Sequence, residues 1–125
     1  PPAMRCINSN RLGRILKRSE YLRVKREGTA VAKPGLVLQA VSAAGHGKVP
    51  YPRVGFTVSK RVGNAVKRNR ARRRLKSVAA DILTRHGLPT WDYVFIGRVT
   101  TLERSYDSLL EDAKAALRTI HQETE

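Results

Sequence analysis

The chain has 125 residues, carries a net charge of +15 and draws 41% of its residues from hydrophobic types. This length and apolar content fit one domain with one core and exclude a wholly disordered chain. The single cysteine excludes a disulfide framework and a cysteine-based zinc site, and no apolar run approaches the roughly 20 residues that cross a bilayer.

The predicted elements follow an α-β-β-β-α-β-α order. In chain order they are a helix from a Ser19 N-cap to Gly28, strands over 29–32, 36–43 and 53–59, a helix over 64–86, a strand over 91–97 and a last helix from Ser105. Residues 44–52 read as a loop, and residues 1–10 as a flexible N-terminal segment. The pattern predicts a single α+β domain over residues 1–125, with a mixed four-stranded sheet covered by helices.

Two strands have contrasting patterns. Residues 53–59 alternate, with Val54, Phe56 and Val58 on one side, which is typical of a half-buried strand. The run WDYVFIG over 91–97 is almost unbroken in its apolar character, so we predict a central position for it in the sheet.

The charge is uneven along the chain. Residues 1–77 hold 20 Lys and Arg against two acids, whereas residues 78–125 hold five against eight. Because self-repulsion of this size destabilises a compact chain, the composition indicates a polyanionic partner, either nucleic acid or an anionic membrane surface. The first two thirds of the chain should supply the binding surface.

The helix over 64–86 concentrates this charge, with seven cations and no acid between Lys67 and Lys76. At about 100° per residue, its apolar stripe should pack on the sheet and a polar band should run beside it. The stripe is Ala71, Leu75, Val78 and Ile82, and the band is Arg68, Asn69, Arg72, Arg73 and Lys76. Arg70 and Arg74 point elsewhere and are available for a second contact.

This band favours RNA or DNA as the partner. Like charges at i, i+4 cost a few tenths of a kcal/mol per pair, and arginine grips phosphate through two parallel hydrogen bonds. A membrane would need the apolar face that the core needs, so no membrane contact is expected. A solvated basic face without a partner is the alternative.

The turn before this helix is also basic. Ser59, Lys60, Arg61 and Asn64 surround Gly63 at a helix N-terminus, where unpaired amide groups attract phosphate. The alternative is that Asn64 is only an N-cap and Gly63 only a turn residue.

No catalytic constellation is visible in the sequence. His46, His86 and His121 lie far apart, and the acids show neither a metal-binding spacing nor a carboxylate pair that could hold Mg²⁺ for phosphodiester cleavage. The pattern therefore predicts a binder with no catalytic residue and no metal site of its own.

The run RVGFTVSKRVGNAVKRNRARRRLK over 53–76 resembles the signature of the bacterial ribonuclease P protein subunit, whose hallmark falls here on Arg68-Asn69-Arg70. The resemblance extends upstream to RILKRSEYLRVKREGTAV and downstream to DYVFIGRVTTLERSYDSLLEDAKAAL. It implies a ribonucleoprotein in which a catalytic RNA and its bound Mg²⁺ remove the 5′ leader of precursor tRNA.

The resemblance also implies partners and fold details. The partners would be the catalytic RNA and precursor tRNA, with no protein partner, no cofactor bound by the protein alone, and a left-handed β-α-β crossover. A reducing cytoplasm fits the single cysteine and the absence of an apolar signal region at the N-terminus. The implied RNA-binding residues are Ser59, Lys60, Arg61, Asn64, Arg68, Asn69, Arg70, Arg72, Arg73 and Lys76.

A leader cleft is implied between the first helix and the sheet. Its residues here would be Arg14, Tyr21, Lys25, Gln39 and Thr57. Some relatives have aromatic residues where this chain has Lys25 and Gln39, so leader binding is expected to depend more on phosphate contacts than on base stacking. Two other functions stay open, namely another basic RNA-binding protein such as a ribosomal protein, and an autonomous nuclease.

Overall fold

The structure is a computed structural model that describes residues 12–42 and 51–124. Its strands are β1 Gly13–Arg14, β2 Thr29–Ala32, β3 Leu36–Ser42, β4 Arg53–Thr57 and β5 Trp91–Gly97, and its helices are α1 Arg18–Glu27, α2 Ala65–His86 and α3 Tyr106–Thr124. Short 3-10 helices occupy Lys60–Val62 and Val99–Leu102. The predicted flexible segment 1–10, residue 43 and most of the predicted loop lie outside the described residues.

The sheet has five strands in the order β1-β4-β5-β3-β2, and the α+β class is confirmed. β1 was missed by the sequence prediction of four strands, because two residues carry no periodicity. β4 runs parallel to both β1 and β5, whereas β3 is antiparallel to β5 and to β2, so the sheet is mixed as predicted. β5 is the middle strand, which confirms its predicted position. α2 connects the parallel neighbours β4 and β5, and the left hand of this crossover stays a prediction.

One face of the sheet packs against α2 and α3. The predicted α2 stripe is buried, with Ala71, Leu75 and Val78 at 0% exposure and Ile82 at 2%. Leu38 and Phe95 supply the sheet side of this core, and α3 contributes Leu109, Ala113, Ala116, Leu117 and Ile120. Buried apolar side chains of this kind provide most of the folding free energy, so α2 is fixed in rotation about its axis.

The other face is covered by α1. Val24 is fully buried there against Ile15 and Val94. The predicted Ser19 N-cap is wrong, because the helix begins at Arg18 with Lys17 as its N-cap and Ser19 lies within the first turn. The side chain of Glu20 instead accepts a hydrogen bond from the Lys17 amide at 3.4 Å.

The remaining helix boundaries agree with the sequence pattern. α2 ends at the predicted Gly87, and Ser105 caps α3, its Oγ accepting a hydrogen bond from the Ser108 amide at 3.1 Å. β4 ends at Thr57, two residues earlier than predicted. Among the described residues no helix has both the length and the apolar character required to traverse a bilayer.

Candidate nucleic-acid interface

The turn before α2 is built to begin a helix. Val62 is buried and anchors the 3-10 turn, and Gly63 has a φ of 149°, a backbone conformation that residues with a side chain rarely adopt. The Asn64 Oδ1 accepts a hydrogen bond from the Lys67 amide at 2.9 Å, which confirms Asn64 as the N-cap. Ser59, Lys60, Arg61 and Asn64 are exposed beside this helix start, and their contact with phosphate stays a prediction.

We call Arg68, Asn69, Arg72, Arg73 and Lys76 the arginine band. Asn69, Arg73 and Lys76 are exposed, and Arg68 and Arg72 are half-buried. The Arg72 Nη1 donates to the Asn69 Oδ1 at 3.0 Å, so the amide holds one guanidinium in place. Within residues 12–42 and 51–124, none of the seven cations between Lys67 and Lys76 forms a salt bridge with a carboxylate.

The other two arginines of this segment differ from each other. The Arg74 guanidinium is half-buried and donates from Nη2 to the backbone carbonyl of Arg104, so it ties α2 to the segment before α3. Arg70 is exposed. Both lie off the arginine band, as the helical spacing predicted, and Arg74 is engaged within the fold.

A groove of about 450 Å³ lies between α1 and β4. The lining residues are Leu16, Arg18, Tyr21, Leu22, Phe56 and Thr57. The Phe56 amide donates to the Tyr21 Oη at 3.3 Å, and a Cβ on Gly55 would lie 2.5 Å from that same oxygen. The tyrosine therefore lies directly over the backbone of β4, and the absence of a side chain at Gly55 makes room for it.

The structure brings together two of the five residues predicted to form the leader cleft. Tyr21 and Thr57 both line the groove. Gln39 is half-buried on β3 and Lys25 is exposed on α1, and neither lines the groove. Arg14 is exposed on the edge strand β1, where its register partner Val54 belongs to the opposite, α2-covered side of the sheet.

An ion cluster fixes α1 to the sheet beside this groove. Arg53 grips Asp92 through two hydrogen bonds, Nε to Oδ1 at 2.8 Å and Nη2 to Oδ2 at 2.7 Å, and its Nη1 reaches the Glu20 Oε2 at 2.8 Å. The Arg23 Nη2 donates to the Asp92 Oδ2 at 3.1 Å. Asp92 is only 1% exposed, so two arginines are required to compensate its buried charge.

The cluster shifts the ionisation of its members. Burial opposes the charged form of Glu20, but the hydrogen bonds from Arg53 and from the Lys17 amide outweigh it and hold the Glu20 pKa below its usual value of 4.5. The hydrogen bonds to Asp92 and Glu20 raise the pKa of Arg53 despite burial. Both shifts favour the charged forms of Glu20 and Arg53, so this ion pair helps to hold α1 against the sheet.

The family model described as Ribonuclease P matches residues 10–121, which is most of the chain. The chain belongs to the ribonuclease P protein family. The ribonuclease P protein component of Paramagnetospirillum magneticum is 50% identical over 111 residues, which cover 88% of this chain and 84% of the relative. That of Ruegeria pomeroyi is 42% identical over 125 residues, covering 97% and 96%. The resemblance found in the sequence is thereby confirmed.

Solved structures of ribonuclease P proteins share the fold. The protein from Staphylococcus aureus superimposes with a TM-score of 0.69 at 23% identity, covering 85% of this chain and 93% of its own. The protein from Thermotoga maritima gives a TM-score of 0.68 at 21% identity, covering 86% and 96%. At these identities the likeness establishes the fold alone.

Sequence reasoning missed several residues of the groove and its support. Leu16 and Leu22 line the groove and are 77% and 46% exposed. Leu22 lies outside the face of α1 that Tyr21 and Val24 share, and this position could have indicated an exposed leucine from the sequence. Asp92 could also have been recognised from the sequence, because an acidic residue inside a buried apolar strand requires a charged partner. Among the described residues, no three His, Cys, Asp or Glu side chains are grouped to hold a metal ion.

Proposed function

We propose that this chain is the RNA-binding subunit of ribonuclease P, binding both the catalytic RNA and precursor tRNA during 5′ maturation. In this proposal the arginine band and the turn at Ser59, Lys60, Arg61 and Asn64 contact RNA phosphates, with Arg70 at their margin. Hydrolysis belongs to the RNA and its Mg²⁺, and the protein supplies binding and orientation. The family membership supports the RNA partner.

The unpaired arginine band is the observation that carries this proposal. The buried stripe fixes the rotation of α2, so the cations cannot turn away from one another. No carboxylate among the described residues neutralises them, although seven follow within ten positions. An RNA backbone supplies the missing negative charge and releases its own counterions on binding.

The groove between α1 and β4 is proposed to hold the leader of the precursor. Its exposed Leu16 and Leu22 and the half-buried Tyr21 offer apolar contacts for bases, and Arg18 offers a cation for phosphate. Tyr21 already packs on β4 through one side, which limits it as a stacking platform. Lys25 adds an exposed charge on the same helix, and Gln39 is expected at the periphery of the leader path. Arg14, whose register partner Val54 belongs to the α2-covered side of the sheet, is not part of this proposed path.

A reconstitution assay tests the proposal. The protein is added to the matching ribonuclease P RNA and a precursor tRNA at low Mg²⁺, and release of the leader is measured. We expect the protein to restore cleavage that the RNA alone performs poorly under these conditions. Cleavage by the protein without the RNA would favour an autonomous nuclease, and co-purification with ribosomal RNA instead would favour a ribosomal protein.

Salt dependence tests the phosphate contacts separately. Arg68→Ala and Arg72→Ala should each weaken RNA binding and lower the slope of log affinity against log salt by about one. Arg85→Ala is the matched control, because Arg85 is exposed on the same helix outside the arginine band. An unchanged slope in both band variants would exclude direct phosphate contact by these side chains.

A further inference from the structure

A second, smaller pocket lies at the far end of α2, where that helix meets α3. Its volume is about 240 Å³, and its lining residues are His86, Lys114, Leu117, Arg118 and His121. Four of the five carry a basic side chain and none is acidic. Within residues 78–125, where eight acids outnumber five Lys and Arg, this is a local reversal of charge.

The basic side chains on α3 follow a single stripe. Lys114, Arg118 and His121 stand at i, i+4 and i+7, and Lys114 and Arg118 are the only Lys or Arg in the helix. Like charges at the spacing of Lys114 and Arg118 repel by a few tenths of a kcal/mol, and a bound anion would relieve this repulsion. Asp112, an acidic residue of the same helix, is engaged away from this stripe. Its Oδ2 accepts a hydrogen bond from the Gly35 amide at 3.0 Å and lies 2.8 Å from the Arg104 Nε.

Little of the charge of Lys114 and Arg118 is neutralised within the described part of the chain. Lys114 approaches Glu111 at 3.9 Å, and the two side chains are 41% and 76% exposed, a contact of small energy. Arg118 is exposed and takes part in none of the salt bridges between described residues. These two side chains therefore keep most of their positive potential.

One wall of the pocket is rigid. The His121 Nε2 lies 2.9 Å from the Tyr93 Oη, and Tyr93 is fully buried and accepts a hydrogen bond from the Leu88 amide at 2.9 Å. The Trp91 ring meets the His121 ring edge-on, with centroids 4.7 Å apart. The fixed His121 ring therefore gives the pocket a rigid boundary beside Lys114 and Arg118.

This pocket is distinct from the arginine band. His86 follows Lys76 by ten residues, or about 15 Å along the helix axis, and follows Arg68 by about 27 Å. We propose that the pocket binds a phosphate group. Its volume lies below the usual range of roughly 300–1,000 Å³ for drug-sized ligands and suits a small anion held by Lys114 and Arg118. The phosphate belongs either to an RNA chain that continues beyond the arginine band or to a small phosphorylated molecule.

A titration with inorganic phosphate tests the site directly. NMR signals of the His86 and His121 rings report binding in the pocket independently of the arginine band. We expect saturable shifts in the wild-type protein, and about tenfold weaker binding in Arg118→Ala, which loses a charge-assisted contact. Arg85→Ala removes the same charge from the neighbouring end of α2 outside the pocket and should leave the affinity nearly unchanged.

Glu111→Gln provides a test in the opposite direction. It removes the carboxylate nearest to Lys114 and should tighten phosphate binding. Melting temperatures identify any variant that is merely misfolded. The proposal would be overturned if phosphate did not shift the histidine signals, or if Arg118→Ala and Arg85→Ala weakened phosphate binding equally.

A second arm identifies the source of the phosphate. If it belongs to RNA, Arg118→Ala should lower the salt slope for binding the ribonuclease P RNA by about one, and Arg85→Ala should not. If that slope is unchanged while inorganic phosphate binding is lost, the site serves a small phosphorylated molecule. Because the arginine band is intact in Arg118→Ala, failure here is distinguishable from failure of the proposed RNA-binding function.

Discussion

Asn69 is the one uncharged member of the arginine band, and its contacts are local. Its side chain is exposed, and its Oδ1 accepts from Arg72 at 3.0 Å. No buried group depends on it, so its contribution belongs to the orientation of Arg72 rather than to the core. A residue of this kind can affect function without affecting folding.

Asn69→Ala is therefore expected to impair processing and to leave stability within about 0.5 kcal/mol of the wild type. The measurements are leader release at low Mg²⁺ and the free energy of unfolding in urea. Arg85→Ala serves as the control for a change on the exposed surface of α2. A large loss of stability would instead make Asn69 a structural residue.

Gly55 illustrates how one missing side chain creates a site. A Cβ there would lie 2.5 Å from the hydroxyl oxygen of Tyr21 and 2.6 Å from two of its ring carbons. Gly55→Ala should thus displace the ring and cost about 1–3 kcal/mol, as overpacking does. Urea denaturation measures the loss.

A double-mutant cycle isolates this contact. Adding Tyr21→Ala to Gly55→Ala should recover part of the loss, because the clashing atoms are gone. Tyr21→Phe is the matched control and should not recover it, since the ring carbon Cε1 that it keeps lies 2.6 Å from the new Cβ. Simple additivity of Gly55→Ala and Tyr21→Ala would show that the tyrosine does not lie over Gly55 in solution.

The elements themselves followed from the sequence where periodicity was long. α2, β4 and β5 were predicted because apolar spacing repeats over enough residues to distinguish helix from strand. β1 could not be, since two residues contain no repeat. The prediction of Ser19 as the N-cap was wrong because Glu20, within the first turn, caps the helix instead. Its side chain accepts a hydrogen bond from the amide of Lys17.

The sites divide in the same way. The arginine band could be predicted because its members share one helix, so their geometry follows from the spacing. The groove could not be predicted in full from the residues alone, because Leu16, Tyr21 and Thr57 meet only through tertiary packing. The ion cluster around Arg53 depends on the β4–β5 register, which pairs Arg53 with Asp92 although they are 39 positions apart in sequence. No local pattern specifies that register.

The ion cluster that joins α1 to the sheet makes the stability of the protein depend on pH. Since the folded pKa of Glu20 is lower than its unfolded value, its contribution to stability is present above about pH 4.5 and is lost as the pH falls through the folded pKa. Glu20→Gln should therefore lose less unfolding free energy than the wild type between pH 7 and pH 3, as urea denaturation at the two values will measure.

Glu103→Gln is the control for this experiment. Glu103 is exposed before α3 and takes part in none of the salt bridges between described residues. It should reproduce the wild-type loss. If Glu20→Gln also reproduces it, the bond between Glu20 and Arg53 does not stabilise α1 in solution.

At the scale of the molecule, the charge of +15 has opposite effects on folding and on binding. Salt screens the self-repulsion of the free chain, and it also weakens the attraction for RNA phosphates. We expect the melting temperature of the free protein to rise by a few degrees between about 20 and 200 mM NaCl, roughly 1 kcal/mol, while its affinity for RNA falls at least about tenfold.

Both quantities are measured in the same buffers, by thermal denaturation of the protein alone and by titration with the ribonuclease P RNA. A melting temperature that falls over this range would mean that ion pairs such as Arg53–Asp92 outweigh the repulsion. That outcome would contradict the view that the arginine band burdens the isolated fold.

The two outer strands of the sheet have a further consequence. β1 has two residues and β2 has four, and they flank the longer strands that carry the core. A long unpaired strand edge can pair with strands of other molecules, whereas very short edge strands discourage this pairing, and both outer strands of the described sheet are short. We therefore expect the free protein to resist edge-to-edge self-association, even with Leu16, Leu22 and Leu88 exposed on its surface.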